Sequence, residues 1–205
     1  MLFRSVAILK ASLTRAAGEG PWDRLRKFGK TDAFGKRVDV LTMGEIHRLL
    51  DGAEDPATRD LLELLAETGC RFSELANARV RDVDARELRV SGKTGSRVVT
   101  LSNAAARLVA RLVAGANDPD RHLLLRADRK PWTSGDQLVP TRRAFERAGL
   151  TQEPITYTLR HSAISRWLAA GVPIGAVAAQ AGTSVAMIEA TYAKWVTSDR
   201  QRWFA

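Results

Sequence analysis

The sequence predicts a mainly α-helical domain with one small antiparallel β-sheet, and three observations predict it. Apolar residues recur at helical spacing along most of the chain, and caps and stops bracket those stretches. Strand-forming residues gather in one place, on either side of Gly92-Lys-Thr-Gly95.

The elements follow in order. Leu2, Val6, Leu9 and Leu13 mark an amphipathic helix that ends near Gly18 to Pro21. Residues 21 to 40 carry charge, Gly and Pro without periodicity and read as a basic linker. Its Arg24, Arg26, Lys27, Lys30, Lys36 and Arg37 either contact phosphates without sequence preference or form a solvated loop. Thr42-Met-Gly-Glu45 is a capping box opening a helix through Ile46, Leu49 and Leu50. Asp55-Pro56 supplies an N-cap and a first-position proline for a helix along Leu61, Leu62, Leu64 and Leu65, stopped by Gly69. A further helix starts near Ser73, with Arg71 at its mouth.

Glu87 to Ser91 and Arg97 to Leu101 form a hairpin with Lys93 at its turn. Ser102 caps a helix through Leu108 and Leu112, and His122 to Arg126 is a short apolar segment of undetermined type. Asp136 to Ala148 is expected to be helical despite Pro140. Thr156 or Thr158 caps a helix running to about Ala170, which places Arg160 in the first turn, where free amides and the helix dipole favour an anion. Helices over Val172 to Ala181 and Ser184 to Tyr192 follow, then a tail whose apolar Val196, Trp203 and Phe204 suit docking on the domain or on a neighbour.

Composition narrows the function classes. The chain has 205 residues and 45% hydrophobic content, enough to bury a core. Its 32 Lys and Arg against 23 Asp and Glu give a net charge of +9, which favours a polyanionic partner such as nucleic acid. Residues 1 to 40 hold nine basic against four acidic side chains, so the excess is concentrated there. The single cysteine, Cys70, excludes an internal disulfide, and no Cys/His group has zinc spacing. Lys10 interrupts the Val6 to Leu9 run too early for a signal peptide or a membrane span, which points to a cytoplasmic protein.

Arg71, Lys93, Arg160 and Tyr192 are the side chains a phosphoryl-transfer site uses. The first three each have an ordinary reading beside them: an Arg71–Glu74 ion pair, a solubilising Lys93, and Arg160 paired with a carboxylate. Their order and separations, however, resemble the tyrosine recombinase or phage integrase family. The resemblance rests on TGCRFSEL at 68–75, Gly92-Lys93, TLRH at 158–161 and TSVAMIEATY at 183–192.

The resemblance implies the family's DNA breaking-rejoining catalytic fold over about Leu41 to Trp195. It makes residues 41–205 the catalytic domain with a C-terminal tail, and residues 1–40 the last helix of a core-binding domain plus the linker. Tyr192 is then the nucleophile that forms a 3′-phosphotyrosyl link to double-stranded DNA. Arg71 and Arg160 hold the non-bridging oxygens, Lys93 protonates the leaving 5′-oxygen, and Glu74 orients Arg71. His161 is expected to be structural.

No metal or other cofactor is implied, because the covalent intermediate retains the phosphoester energy. The family also implies a homo-oligomer on DNA, a tetramer on paired sites. Two positions depart from its pattern. Tyr157 stands where histidine is usual, and Thr183 where histidine or tryptophan is usual; both remain catalytic candidates, since each hydroxyl can still donate a hydrogen bond to a phosphate oxygen. These departures and the short front end leave a second expectation, a catalytically weak relic or regulatory module that occupies attachment sites. A third is a topoisomerase-like relaxing enzyme.

Overall fold

The computed structural model describes residues 38–92 and 95–197. The expected N-terminal helix, the basic linker as far as Arg37, Lys93 and the end of the tail lie outside the described residues. Residues 1–37 and 38–205 separate into two units.

The second unit opens with α1 (Met43–Asp51), where the Thr42 amide donates to the Glu45 carboxylate at 2.7 Å and the Glu45 amide donates back to the Thr42 hydroxyl. Helix α2 (Pro56–Thr68) starts on the Asp55 cap and stops at Gly69, whose φ of 61° is left-handed. Leu61, Leu62, Leu64 and Leu65 are all fully buried, so α2 is apolar on several faces, and it packs against α1 and three later helices. Each such leucine contributes about 1.5–3 kcal/mol by leaving water. This helix is the pillar of the main core.

Helix α3 (Phe72–Asn77) and a 3₁₀ turn (Val80–Asp82) lead into a three-stranded antiparallel sheet, β1 (Val83–Asp84), β2 (Glu87–Gly92) and β3 (Gly95–Thr100), in that order. The expected hairpin is present, with Leu88 opposite Val99 and Val90 opposite Arg97. Two-residue β1 is an addition, because so short a strand leaves no alternation to read.

Helix α4 (Asn103–Val113) starts at Ser102 as expected. The segment at His122 to Arg126 makes only isolated bridges, Arg79 to His122 and Leu125 to Pro131. Helix α5 (Leu138–Arg147) begins two residues later than expected, because Asp136 accepts from the Thr133 amide and hydroxyl and pairs with Arg126. Pro140 falls in its first turn, where a missing amide costs little.

Helices α6 (Thr156–Ala169), α7 (Ile174–Ala181) and α8 (Val185–Thr197) build a smaller second cluster from Ile164, Leu168, Val177, Ala178, Ala181, Ile188 and Tyr192. No helix among the described residues is long and apolar enough to cross a membrane.

One expectation needs correction. Ile155, extended at φ −122° and ψ 147°, is the N-cap of α6, and it gives no side-chain cap. Thr158 instead donates its hydroxyl to the Glu153 carbonyl at 2.9 Å. Arg160 is therefore the fifth helical residue, beyond the free amides of the first turn. The positive end of the dipole does not explain its position.

Candidate active site

Gly69 ends α2 with its carbonyl turned to α6, and the Arg160 Nη1 donates to that oxygen at 2.7 Å. Arg160 is only 2% exposed, yet among the described residues no carboxylate lies within ion-pair distance of it. The ordinary reading of a carboxylate pair does not hold for this arginine. Burial and the nearby charge of Arg71 hold its pKa below the usual guanidinium value. Its guanidinium carbon lies 5.9 Å from the Tyr157 ring centre, a cation–π contact.

Arg71 is the N-cap residue of α3. Its amide donates to Glu74 Oε2 at 2.8 Å and its Nη1 to Oε1 at 3.1 Å, so the i,i+3 ion pair is real. Its other terminal nitrogen, Nη2, donates to the Gly182 carbonyl at 3.2 Å, beyond the end of α7. A single carboxylate thus fixes Arg71 from its own helix while a carbonyl fixes it from another.

A third guanidinium, not anticipated from the sequence, completes the cluster. Arg97 on β3 donates through both terminal nitrogens to Glu74, at 2.6 and 3.0 Å, and through Nε to the Gln180 carbonyl at 3.2 Å. Burial alone pushes the Glu74 carboxyl up, but the bonds from Arg97 and Arg71 hold it below the usual carboxylate range. A signal for Arg97 was present. On an alternating strand it shares the face of core-facing Val99, where a charge needs a buried partner.

Among the described residues, therefore, Arg71, Arg97 and Arg160 are served by one carboxylate. The surplus of positive charge in a partly buried site, with guanidinium donors to spare, suits a bound anion such as a phosphate.

Tyr192 supplies a hydroxyl at the same end of the domain. It sits where α8 breaks, with φ −120° and ψ 19°, and is 4% exposed. Its oxygen is 2.5 Å from Nδ1 of His161, and its ring lies beside Trp195. Burial pushes the phenol far above its ordinary value, and Arg160 opposes that push. The Tyr157 ring, about half exposed, meets the His161 ring edge-on at 4.8 Å.

Thr183 follows Gly182 and donates its amide to the Ala178 carbonyl at 3.0 Å, which puts it next to the Arg71 anchor. Gly92, the neighbour of Lys93, backs directly onto Glu74, since a methyl group there would lie 3.2 Å from Glu74 Cγ. The described candidates Arg71, Glu74, Tyr157, Arg160, His161, Thr183 and Tyr192 thus converge through α3, α6 and the α7–α8 turn. Lys93 and the basic residues from Arg24 to Arg37 lie outside the described residues.

A helical core, a three-stranded sheet and this arginine cluster define the class: the catalytic fold of DNA breaking-rejoining recombinases. The chain belongs to the phage integrase family, whose model matches residues 39–197.

It is 35% identical over 161 residues to the tyrosine recombinase XerD of Bifidobacterium longum, covering 68% of this chain and 52% of the relative. It is 34% identical over 158 residues to XerD of Mycobacterium tuberculosis, covering 67% and 50%. The chain spans about half the length of these relatives. Among solved structures, the Tn1549 transposon integrase in complex with circular intermediate DNA matches with a TM-score of 0.73 at 19% identity, over 98% of this chain and 78% of that one. The XerA recombinase matches with a TM-score of 0.67 at 19% identity, over 97% and 75%.

Proposed function

We propose that this chain is the catalytic part of a site-specific DNA recombinase that cuts and rejoins double-stranded DNA through a 3′-phosphotyrosyl intermediate. The observation that carries this reading is the pairing of surplus guanidinium charge with a buried tyrosyl hydroxyl. Arg71 and Arg160 are anchored by Gly182 and Gly69 carbonyls, which leaves their other donors for two phosphate oxygens.

In the proposed step the Tyr192 oxygen forms a bond to the scissile phosphorus and the bond to the 5′-oxygen breaks. Lys93 returns a proton to that oxygen, a role assigned by its place in the family motif. Charge that gathers on the non-bridging oxygens meets donors already fixed in place, an effect worth roughly 10²–10³-fold in rate per donor. Glu74 positions Arg71, and a hydroxyl from Thr183 beside the Arg71 anchor is available to the phosphate. Arg24, Arg26, Lys27, Lys30, Lys36 and Arg37 track the DNA backbone. Action in the cytoplasm and assembly as a homo-oligomer on DNA, a tetramer on paired sites, belong to the same reading.

The test is a nicked-duplex pool randomised across its core, incubated with the full chain. A covalent protein–DNA adduct is expected, and Tyr192→Phe abolishes it. A correctly folded protein that yields no adduct from the whole pool would favour instead a module that only occupies DNA sites.

A further inference from the structure

Positions 157 and 161 lie one helical turn apart on α6, so Tyr157 and His161 share a face. That face looks onto α8, where the chain leaves helical geometry at Tyr192. The break delivers the tyrosyl oxygen to 2.5 Å from His161 Nδ1, a short hydrogen bond between a phenol and an imidazole. Tyr157 stacks edge-on against the same imidazole at 4.8 Å and restricts how the ring turns. The sequence marks His161 as structural, but its ring nitrogen touches the oxygen that would react.

We propose that His161 is the general base for Tyr192, with Nδ1 accepting the phenolic proton as the tyrosyl oxygen attacks phosphorus. This inference rests on the covalent reading given above. In the forward step the Oη–H bond breaks, the proton moves to Nδ1 and the Oη–P bond forms. The P–O5′ bond breaks in concert, and the leaving oxygen is protonated separately by the group assigned to it. On rejoining, the 5′-hydroxyl gives its proton back to the group that supplied it, the new P–O5′ bond displaces the tyrosyl oxygen, and the imidazolium returns its proton to Oη. The base must start as the tautomer with hydrogen on Nε2 and a lone pair on Nδ1.

The alternative base on this face is Tyr157 itself. A phenol with a reference pKa of about 10 is a poor acceptor at neutral pH, whereas an imidazole near 6.5 is well matched. Burial holds the proton on Tyr192, so attack needs an acceptor already in contact with the oxygen, and His161 Nδ1 is in that position. Arg160 on the same helix favours tyrosinate, and Arg71 and Glu74 act on Arg160 from α3. Helix α7 carries no ionisable side chain. The acids of α2 are occupied elsewhere, Asp60 and Glu63 toward Arg111 and Glu67 toward Ser102.

The experiment uses the full chain and the randomised nicked-duplex pool, with the scissile link made as a 5′-bridging phosphorothiolate. A thiolate leaves without protonation, so adduct formation then reports the base and not the general acid. Single-turnover adduct rates are measured between pH 5 and 9 for wild type, His161→Asn and His161→Ala. Asparagine keeps a hydrogen-bonding group near the Nδ1 position but accepts no proton.

The wild-type rate is expected to rise through the histidine range and level off. His161→Asn should be slower by roughly 10²–10⁴-fold, and its pH limb should move toward the ionisation of tyrosine. Added imidazole should partly restore His161→Ala. A wild-type rate and pH limb in His161→Asn would overturn the proposal while leaving the phosphotyrosyl reading intact.

The tautomer is read independently on DNA-free wild type by nitrogen-15 NMR at pH 8. A lone pair on Nδ1, lost as an acceptor for Tyr192 in Tyr192→Phe, supports the proposal even where a folded variant is hard to obtain. Hydrogen on Nδ1 overturns it. If wild type forms no adduct with any duplex while Nδ1 accepts from Tyr192, the covalent reading falls and the proton pair stands.

Discussion

Arg97 closes on Glu74 with both carboxylate oxygens engaged, at 2.6 and 3.0 Å, although the two residues are 23 positions apart in sequence. Glu74 is 1% exposed and also holds the amide and side chain of Arg71. In the proposed reaction Arg97 therefore acts through its neighbour, as a positioning residue. Replacing it by methionine leaves Glu74 with one guanidinium in place of two. We expect a loss of roughly 2–4 kcal/mol, below the full cost of breaking a buried pair because Arg71 stays and Arg97 is partly exposed. Arg97→Lys should recover part of the stability but not the adduct rate, since one ammonium cannot grip both oxygens as the planar fork does. Urea unfolding alongside single-turnover adduct formation separates these two effects.

The same carboxylate sets a pH dependence. Its folded pKa lies below the ordinary value of 4.5. The sign follows from linkage: a depressed carboxylate contributes stability that is complete above 4.5 and disappears as pH falls through the folded value. Stability should therefore stay flat from neutrality to about pH 5 and decline below it. Glu74→Gln should be less stable at pH 7 and show a shallower acid decline. Urea midpoints taken from pH 7 down to pH 3 test this, and an unchanged acid slope in Glu74→Gln would assign the decline to other carboxylates.

Gly69 joins the fold to the site. Its φ is 61°, and a β-carbon at this position would lie 2.8 Å from the Trp167 ring, so backbone and space both oppose any side chain. Gly69→Ala is expected to cost roughly 1–3 kcal/mol from left-handed strain and overpacking. It should also shift the carbonyl that holds Arg160, so adduct formation should fall by more than the unfolded fraction explains. Gly44 is the control. It lies inside α1 with open space around it, and Gly44→Ala should stabilise by up to about 1 kcal/mol. Thermal melts of the two variants should move in opposite directions.

The legible parts of this molecule are those fixed by local chemistry. Thr42 with Glu45, Asp55 with Pro56, Ser102 and Gly69 each mark a boundary by a short-range hydrogen bond or a backbone preference. The beginning of α6 is hidden because Ile155 caps it with no side-chain signal, while two nearby threonines offer a false one. The Arg97–Glu74 contact and the His161–Tyr192 contact are harder to read for a different reason. Each joins elements brought together only by packing, and the second also depends on a helix break at Tyr192 that residue type does not announce.

Under the proposed function, salt dependence distinguishes arginines that would meet DNA from arginines that only hold the fold. Arg71 and Arg160 are anchored on carbonyls with donors to spare, whereas Arg111 is bound by both oxygens of Asp60 at 3.1 and 2.6 Å on another part of the surface. Each phosphate contact on duplex DNA releases counterions and adds about 0.9 to the slope of log affinity against log salt. Arg71→Gln and Arg160→Gln should each lower that slope by about one. Arg111→Gln should leave the slope alone and lower stability, because Asp60 loses its partner. Binding of the full chain to duplex DNA, titrated at several salt concentrations for all three variants, gives the comparison. An equal slope change in all three would mean that overall charge, and not this cluster, is what the DNA meets.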